Sequence, residues 1–518
     1  MDRQAQFPFS PAQLFRSLTV LITPMGVQGS GGELFRGAIF GRDSLRVALD
    51  LLPWFPSVAE TVLFSLAHFQ ATGPNRDADA YGPGQIPHEV RSRFLGPRKV
   101  SPRQLEIFND LAPRWGGSEE LFVYYGSVDA TPQFVRLAGQ YCRRYGEGIL
   151  DEILRRADGT ELTLRESVRA AVAWLETEIG RNDLPLLGFQ RSNTEHGHHW
   201  QILQDGRTSV IHADGNLANS QARIETTGLQ GLAYDALIEA TRIFDGDDAQ
   251  RWTALAAGLQ AATLERLWMD DEGCFAMGLD RDPATGERRQ IAALSAIQTE
   301  LLETGIFDTL PEKERAHRIG GIVRMAHGPE FLTPAGIRSR GLRHLNLLPY
   351  PDYHGVMTCW GVTNSVYAAG LARQGLHPLS DDIVHRHIGM LALAGALYEF
   401  LYVDPVGIVR HPLHDITDAH RGGRPAWPLV ENVIEGTNRP DIDQGWTLSF
   451  ALREFMEAGD PPPAPPATGS WQANLVDEIA ARTPLVEDFT PRPDLMKEAW
   501  PDKAAADRHE AAYIAAQT

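Results

Sequence analysis

The stretch Gln204 to Gly215 reads GlnAspGlyArgThrSerValIleHisAlaAspGly, and it feeds directly into a long run of helical patterns. It places Asp205, His212 and Asp214 close together, shortly after His196, His198, His199 and Trp200. A connector between two helices needs neither this length nor this density of ionisable groups. Acids, imidazoles and an indole in one non-helical segment read as a loop that handles a sugar. A solvated surface loop with capping aspartates is the other reading of the same residues.

Downstream of this loop the apolar residues recur at helical spacing. Leu229, Leu232, Ala236, Leu237 and Ala240 share a face, as do Trp252, Leu255 and Leu259, and then Ile291, Leu294, Ile297 and Leu301. Further helices are expected over roughly 363–374, 382–402 and 444–458. Upstream, the pattern covers Leu45 to Leu52, Ser57 to Ala71, Phe134 to Tyr141 and Val168 to Ile179. Many of these stretches are apolar on more than one face, which suits helices packed between a barrel core and an outer layer. Residues 72–120 read as loop, and the β-branched run Thr19 to Thr23 reads as a strand. No repeat with a period of 20–50 residues is visible, which excludes a solenoid. The expectation is an all-α body over 36–459, short strands in 1–35, and a Pro-rich linker with a C-terminal tail over 460–518.

Composition narrows the function. A chain of 518 residues with 43% hydrophobic content has a large core to bury. Its formal net charge of -19 argues against nucleic acid or an anionic membrane as partner, because phosphate binding needs an excess of cations. A small neutral carbohydrate fits better. Cys142, Cys274 and Cys359 are too scattered for a disulfide framework or a zinc site, so no metal or other cofactor is expected. They favour a reducing compartment, and with no apolar run of membrane-spanning length the expected location is cytoplasmic. The oligomeric state is not readable.

A set of loop motifs occurs in a fixed order: GlyArgAspSer (41–44), IleProHisGlu (86–89), TyrTyrGlySerValAspAlaThrPro (124–132), HisAlaAspGly (212–215), GlyIleArgSer (336–339) and TyrHisGly (353–355). Over residues 35 to 458 this order resembles the amylo-α-1,6-glucosidase domain of glycogen debranching enzymes and, more distantly, trehalases and processing glucosidases. The resemblance implies an (α/α)6 barrel with its site on the loops at one end. It also implies exo-acting hydrolysis of an α-linked glucoside with inversion by two carboxyl groups. The chemistry is consistent with that. One carboxylic acid must protonate the departing oxygen while a carboxylate roughly 6.5–9.5 Å away activates water.

By the resemblance Asp205 is the acid, with Glu195 as a spare candidate. The base is Glu431 or Glu435, both within ValGluAsnValIleGluGlyThrAsnArgPro, with Glu431 preferred. Arg42 and Asp43 resemble the family's hydroxyl binders. His88, Glu89, Asp129, His212, Asp214 and His354 are further candidate contacts, Trp360 and Trp446 candidate stacking platforms, and Trp200 a substitute for an indole that the family carries beside its acid. Two departures bear on substrate choice. The Trp-Lys before the family's acid is absent, and after TyrHis this chain reads GlyValMetThrCysTrpGlyValThrAsn, with Thr363 where a carboxylate belongs. No counterpart of the N-terminal substrate-binding domain of bacterial debranching enzymes is seen either. Two other readings stay open: a sugar epimerase or isomerase using the histidines at 196–199, and a carbohydrate-binding relative without catalysis.

Overall fold

The computed structural model describes residues 3–32, 35–93, 102–181, 183–348, 352–410 and 440–497, with 511, 512 and 515. Glu431 and Glu435 lie outside the described residues.

Helices dominate, and their contacts close into two rings. The inner ring consists of α2 (Gly41–Leu51), α5 (Ala130–Tyr145), α7 (Thr227–Ile243), the 3₁₀ helix Ala296–Glu303, α10 (Gly361–Arg373) and α12 (Gly445–Glu457). Each packs on the next, and α12 returns to α2. Against each lies one outer helix. These are α1 (Pro11–Leu21) on α12, α3 (Pro56–His68) on α2 and α6 (Leu164–Gly180) on α5. They continue with α8 (Asp247–Arg266) on α7, α9 (Glu312–Ala326) on the 3₁₀ helix and α11 (His377–Ala394) on α10. The inner helices are buried nearly all round, which explains why α7 and α10 are only weakly amphipathic in sequence.

Four expectations need correction. The N-terminal segment is not only strand: Ser10 accepts a hydrogen bond from the Gln13 N–H, Pro11 sits at the first helical position, and Leu14, Leu18 and Leu21 line one buried face, which makes α1 a helix. The apparent loop 72–120 contains α4 (Pro102–Arg114) and a strand, Glu89–Ser92. The stretch 382–402 is two elements, because Gly395 takes a left-handed conformation (φ 86°) that stops α11 before the strand Phe400–Val403. Ile291 likewise ends a strand rather than starting a helix.

Short strands lead into the inner helices. Ala38–Phe40 runs into α2 and pairs with Glu89–Ser92, which pairs with Leu121–Tyr124. Thr358–Trp360 runs into α10 and begins a four-stranded sheet through Phe400–Val403 and Val409–Arg410 to Met496–Lys497. The C-terminal tail docks on this body. α13 (Trp471–Arg482) buries Leu475 and Ile479 and packs on α9, where Arg324 meets Glu478 at 2.9 Å. Among the described residues no helix is long and apolar enough to cross a membrane.

An ion-pair lattice crosses the interior of the inner ring. Arg46 bonds Glu303 at 2.7 Å and also Asp50, Arg453 bonds Asp50 at 2.6 Å, and Arg136 joins Glu303 at 3.2 Å to Asp235 at 3.1 Å. Arg453 also reaches the Ser365 hydroxyl. The lattice therefore touches all six inner elements.

Candidate active site

The polar cluster stands on the first turns of the inner helices, where unpaired N–H groups and the positive dipole end favour carboxylates. α2 supplies Arg42 and Asp43, the N-cap of α5 is Asp129, and Gln444 and Trp446 flank the start of α12. The long loop before α7 brings in Asp205. Arg42 ties the cluster together, reaching Asp129 at 3.2 Å and Asp205 at 3.1 Å. On the other side of Asp205, the His354 Nε2 lies 3.7 Å from its second oxygen. Asp205 keeps 21% side-chain exposure while Arg42 and Asp129 are almost fully covered, so it is the member of this trio that a ligand can reach.

Carboxyls of the cluster are shifted in opposite directions. Burial raises Asp205, but His354 and Arg42 outweigh it and hold the carboxyl well below the ordinary carboxylate range. Asp43 is raised by burial to about 7, with Arg42 lowering it and the Asp205 charge adding to the rise. Glu300, on the 3₁₀ helix, is raised by burial and by Asp129 to about 8. Glu300 lies so close to Gly228 on α7 that a Cβ there would collide with its carboxylate oxygen. Burial also pushes Glu399 well above its usual value; it accepts the Tyr353 hydroxyl at 2.6 Å. His88 and His354 are lowered chiefly by burial and stay neutral.

Several buried polar atoms here have no protein partner among the described residues. They are His88 Nδ1, His198 Nε2, Gln204 Oε1, Gln444 Oε1 and Trp446 Nε1. Buried polar groups are nearly always satisfied, so such a concentration marks the place of a hydroxyl-rich ligand or ordered water. No group of three or more potential metal ligands occurs among the described residues.

The structure separates the sequence candidates. Arg42, Asp43, His88, Asp129, Asp205 and His354 come together, and the epimerase reading retains only His198, whose ring is 5.1 Å from His88. Others are placed elsewhere. Trp200 is fully buried and donates its indole N–H to the Arg207 carbonyl, so it is a core residue and not a sugar platform. Trp360 is covered on one face by His354 (4.0 Å) and on the other by Phe400 (4.9 Å), which leaves no face for a pyranose. Trp446 is buried against Trp360 and has only its N–H to offer. His212 bonds Asp280 at 3.0 Å and braces a hairpin, and Asp214 is exposed and holds the turn at Asn216. Glu89 is engaged by Arg91 within its own strand. Glu195 is exposed beside His196. Residues that sequence reasoning missed are Glu300, Gln204, Tyr353, Glu399 and Gln444. Gln204, adjacent to Asp205, and Tyr353, first residue of the TyrHisGly motif, carried a signal.

No family model matches the sequence, and no curated protein matches it. Solved structures do. The GH63 mannosylglycerate hydrolase of Thermus thermophilus, in complex with glucose, is 14% identical with a TM-score of 0.52 over 86% of this chain and 99% of that one. A rhamnosidase from Klebsiella oxytoca with rhamnose bound is 14% identical (TM-score 0.47, 87% and 65% covered), and the neutral trehalase of Saccharomyces cerevisiae is 15% identical (0.41, 89% and 76%). At this identity the likeness to the mannosylglycerate hydrolase is one of fold. That fold is an (α/α)6 barrel, in agreement with the two rings described above.

Proposed function

We propose that the protein is an inverting glycoside hydrolase acting on a small neutral glycoside. In this reading Asp205 is one of its two carboxyl groups, and a glutamate of the segment 411–439, Glu431 or Glu435, is the other. The observation that carries the reading is one reachable carboxylate surrounded by buried polar atoms that lack partners. A ring of sugar hydroxyls supplies both donors and acceptors to such a set. The order of loop motifs and the barrel fold point the same way. Among the described residues Arg42 is already shared by two carboxylates, so the mouth favours a neutral sugar over an anionic one. The substrate class is an α-linked glucoside or a related short glycoside. A soluble cytoplasmic enzyme without cofactor belongs to the same proposal.

The reaction needs a proton on the glycosidic oxygen as the bond from C1 to that oxygen breaks. A water on the opposite face, deprotonated by the base, then bonds to C1 and inverts it. Asp205 is ionised in the sugar-free site, so to act as acid it must take up a proton when substrate arrives. A bound sugar covers its exposed edge and competes for Arg42, and both changes raise its proton affinity.

A second assignment is favoured by the split protonation states. Asp43 and Glu300 carry protons near neutral pH while Asp205 does not, which is the pattern of an acid and a base tuned apart. In that case Asp205 is the base. A glucosyl fluoride separates the two, because fluoride leaves without protonation. If Asp205 is the acid, Asp205→Asn loses disaccharide hydrolysis but keeps fluoride release; if it is the base, both are lost. Undiminished turnover of both substrates removes Asp205 from the chemistry.

A further inference from the structure

Away from the polar cluster, the hairpin Gly278–Arg281 and Arg288–Ile291 sets two arginines directly opposite each other, Arg281 paired with Arg288 across the strands. Like charges in facing positions destabilise a hairpin unless an anion lies between them. Here the anion is Asp183, contributed by the segment after α6, which meets Arg288 at 2.5 Å and Arg281 at 3.2 Å. Asp183 remains 67% exposed, so it lies over the pair from the solvent side. Arg288 also faces the buried Glu225 at 3.5 Å. On the opposite face of the hairpin, Arg289 is occupied by Asp280 and Asp282.

Asp183, Arg281 and Arg288 line a cavity of about 380 Å³, with Leu184, Arg266, Leu279, Arg289 and Gln290 around it. Among the described residues the ion-pair neighbour of Arg266 is the exposed Glu265, at 3.4 Å. The volume is within the roughly 300–1,000 Å³ of small-molecule sites, larger than a bare ion requires. With Arg289 held by Asp280 and Asp282, the guanidinium groups of Arg266, Arg281 and Arg288 around an apolar floor, in a chain of net charge -19, form a local anion receptor. Leu279 supplies that floor and the Gln290 side chain is tied to the Arg266 and Trp268 carbonyls, which holds the wall in place.

We propose that this pocket binds a phosphate group, displacing the Asp183 carboxylate from between Arg281 and Arg288, and that its size suits a phosphorylated small metabolite such as a sugar phosphate. The site is separate from the Asp205 cluster and stands whether or not the hydrolase reading does.

Calorimetric titration of the full-length protein at fixed ionic strength tests it, with inorganic phosphate, glucose 6-phosphate and glucose as the three probes. Phosphate-bearing probes are expected to bind one per chain. Arg281→Gln should weaken them by about tenfold or more, as expected for loss of a charged hydrogen-bonding partner. Asp183→Asn should tighten them several-fold, since it removes the competing carboxylate. Glucose 6-phosphate binding more tightly than phosphate identifies the ligand as the ester, and equal affinities identify it as the free ion. The proposal is overturned by absence of heat with both phosphates, or by affinities that neither substitution changes.

Discussion

Two buried charged regions sit one above the other in this barrel, and they are balanced differently. In the interior lattice three arginines, Arg46, Arg136 and Arg453, face Asp50, Glu303 and Asp235. At the mouth, among the described residues, Arg42 stands alone against Asp43, Asp129, Asp205 and Glu300. Burial is similar, yet Glu303 differs from Asp43 and Glu300 in its response, while Asp235 in the lattice is raised by burial and Asp205 at the mouth is lowered. Against the burial penalty, Arg46 and Arg136 lower Glu303 to about 2, while burial outweighs the single Arg42 and lifts Asp43 to about 7 and, with Asp129 adding to the rise, Glu300 to about 8. Matched charges hold helices together; unmatched ones keep protons within reach of neutral pH, which is the condition for acid–base work.

The largest expected effect separates the two regions by function. Asp205→Asn should lower turnover of an unactivated disaccharide by a factor on the order of 10²–10⁴ while the protein still folds. Steady-state kinetics and circular dichroism check both halves. In the interior, Arg46→Met strips a partner from both Asp50 and Glu303. It should cost about 3–5 kcal/mol in chemical denaturation, because it leaves buried carboxylates short of a cation.

A pH series sharpens the contrast. Asp43 binds its proton more tightly folded than unfolded, so its contribution to stability is full below about pH 4 and is lost as pH rises towards 7. A shift of this size corresponds to roughly 4 kcal/mol at most. Asp43→Asn should therefore gain stability relative to wild type between pH 5 and pH 8, as read by melting temperature. Glu303 behaves in the reverse sense, its contribution being present above the unfolded value and lost only as pH falls towards 2. The smallest effect is expected at Asp214, where Asn should change stability by less than about 0.5 kcal/mol and leave turnover unaltered, since the side chain only holds an exposed turn.

What the sequence revealed depended on where each signal lay. The ring helices were visible because buried faces recur at helical spacing, and α10 and α12 emerged close to their expected ends. α1 was hidden by the β-branched run Thr19 to Thr23, which overlaps its last turn, although Ser10 and Pro11 announce its start. Arg42, Asp43, Asp129, Asp205 and His354 were legible as polar residues in loop motifs at helix starts. Trp200, His212 and Asp214 share that stretch of sequence but not its direction, for neighbours along a loop point to different sides. Glu300 was illegible because it lies within an apolar run, and only the packing of the 3₁₀ helix on α7 turns it towards Arg42 and Asp129.

The most direct test of the central claim is the configuration of the first-formed sugar, followed by proton NMR during hydrolysis of an α-linked glucoside by the wild-type protein. β-Glucose is expected to appear first and then mutarotate. Initial release of α-glucose contradicts a single displacement between two separated carboxyl groups.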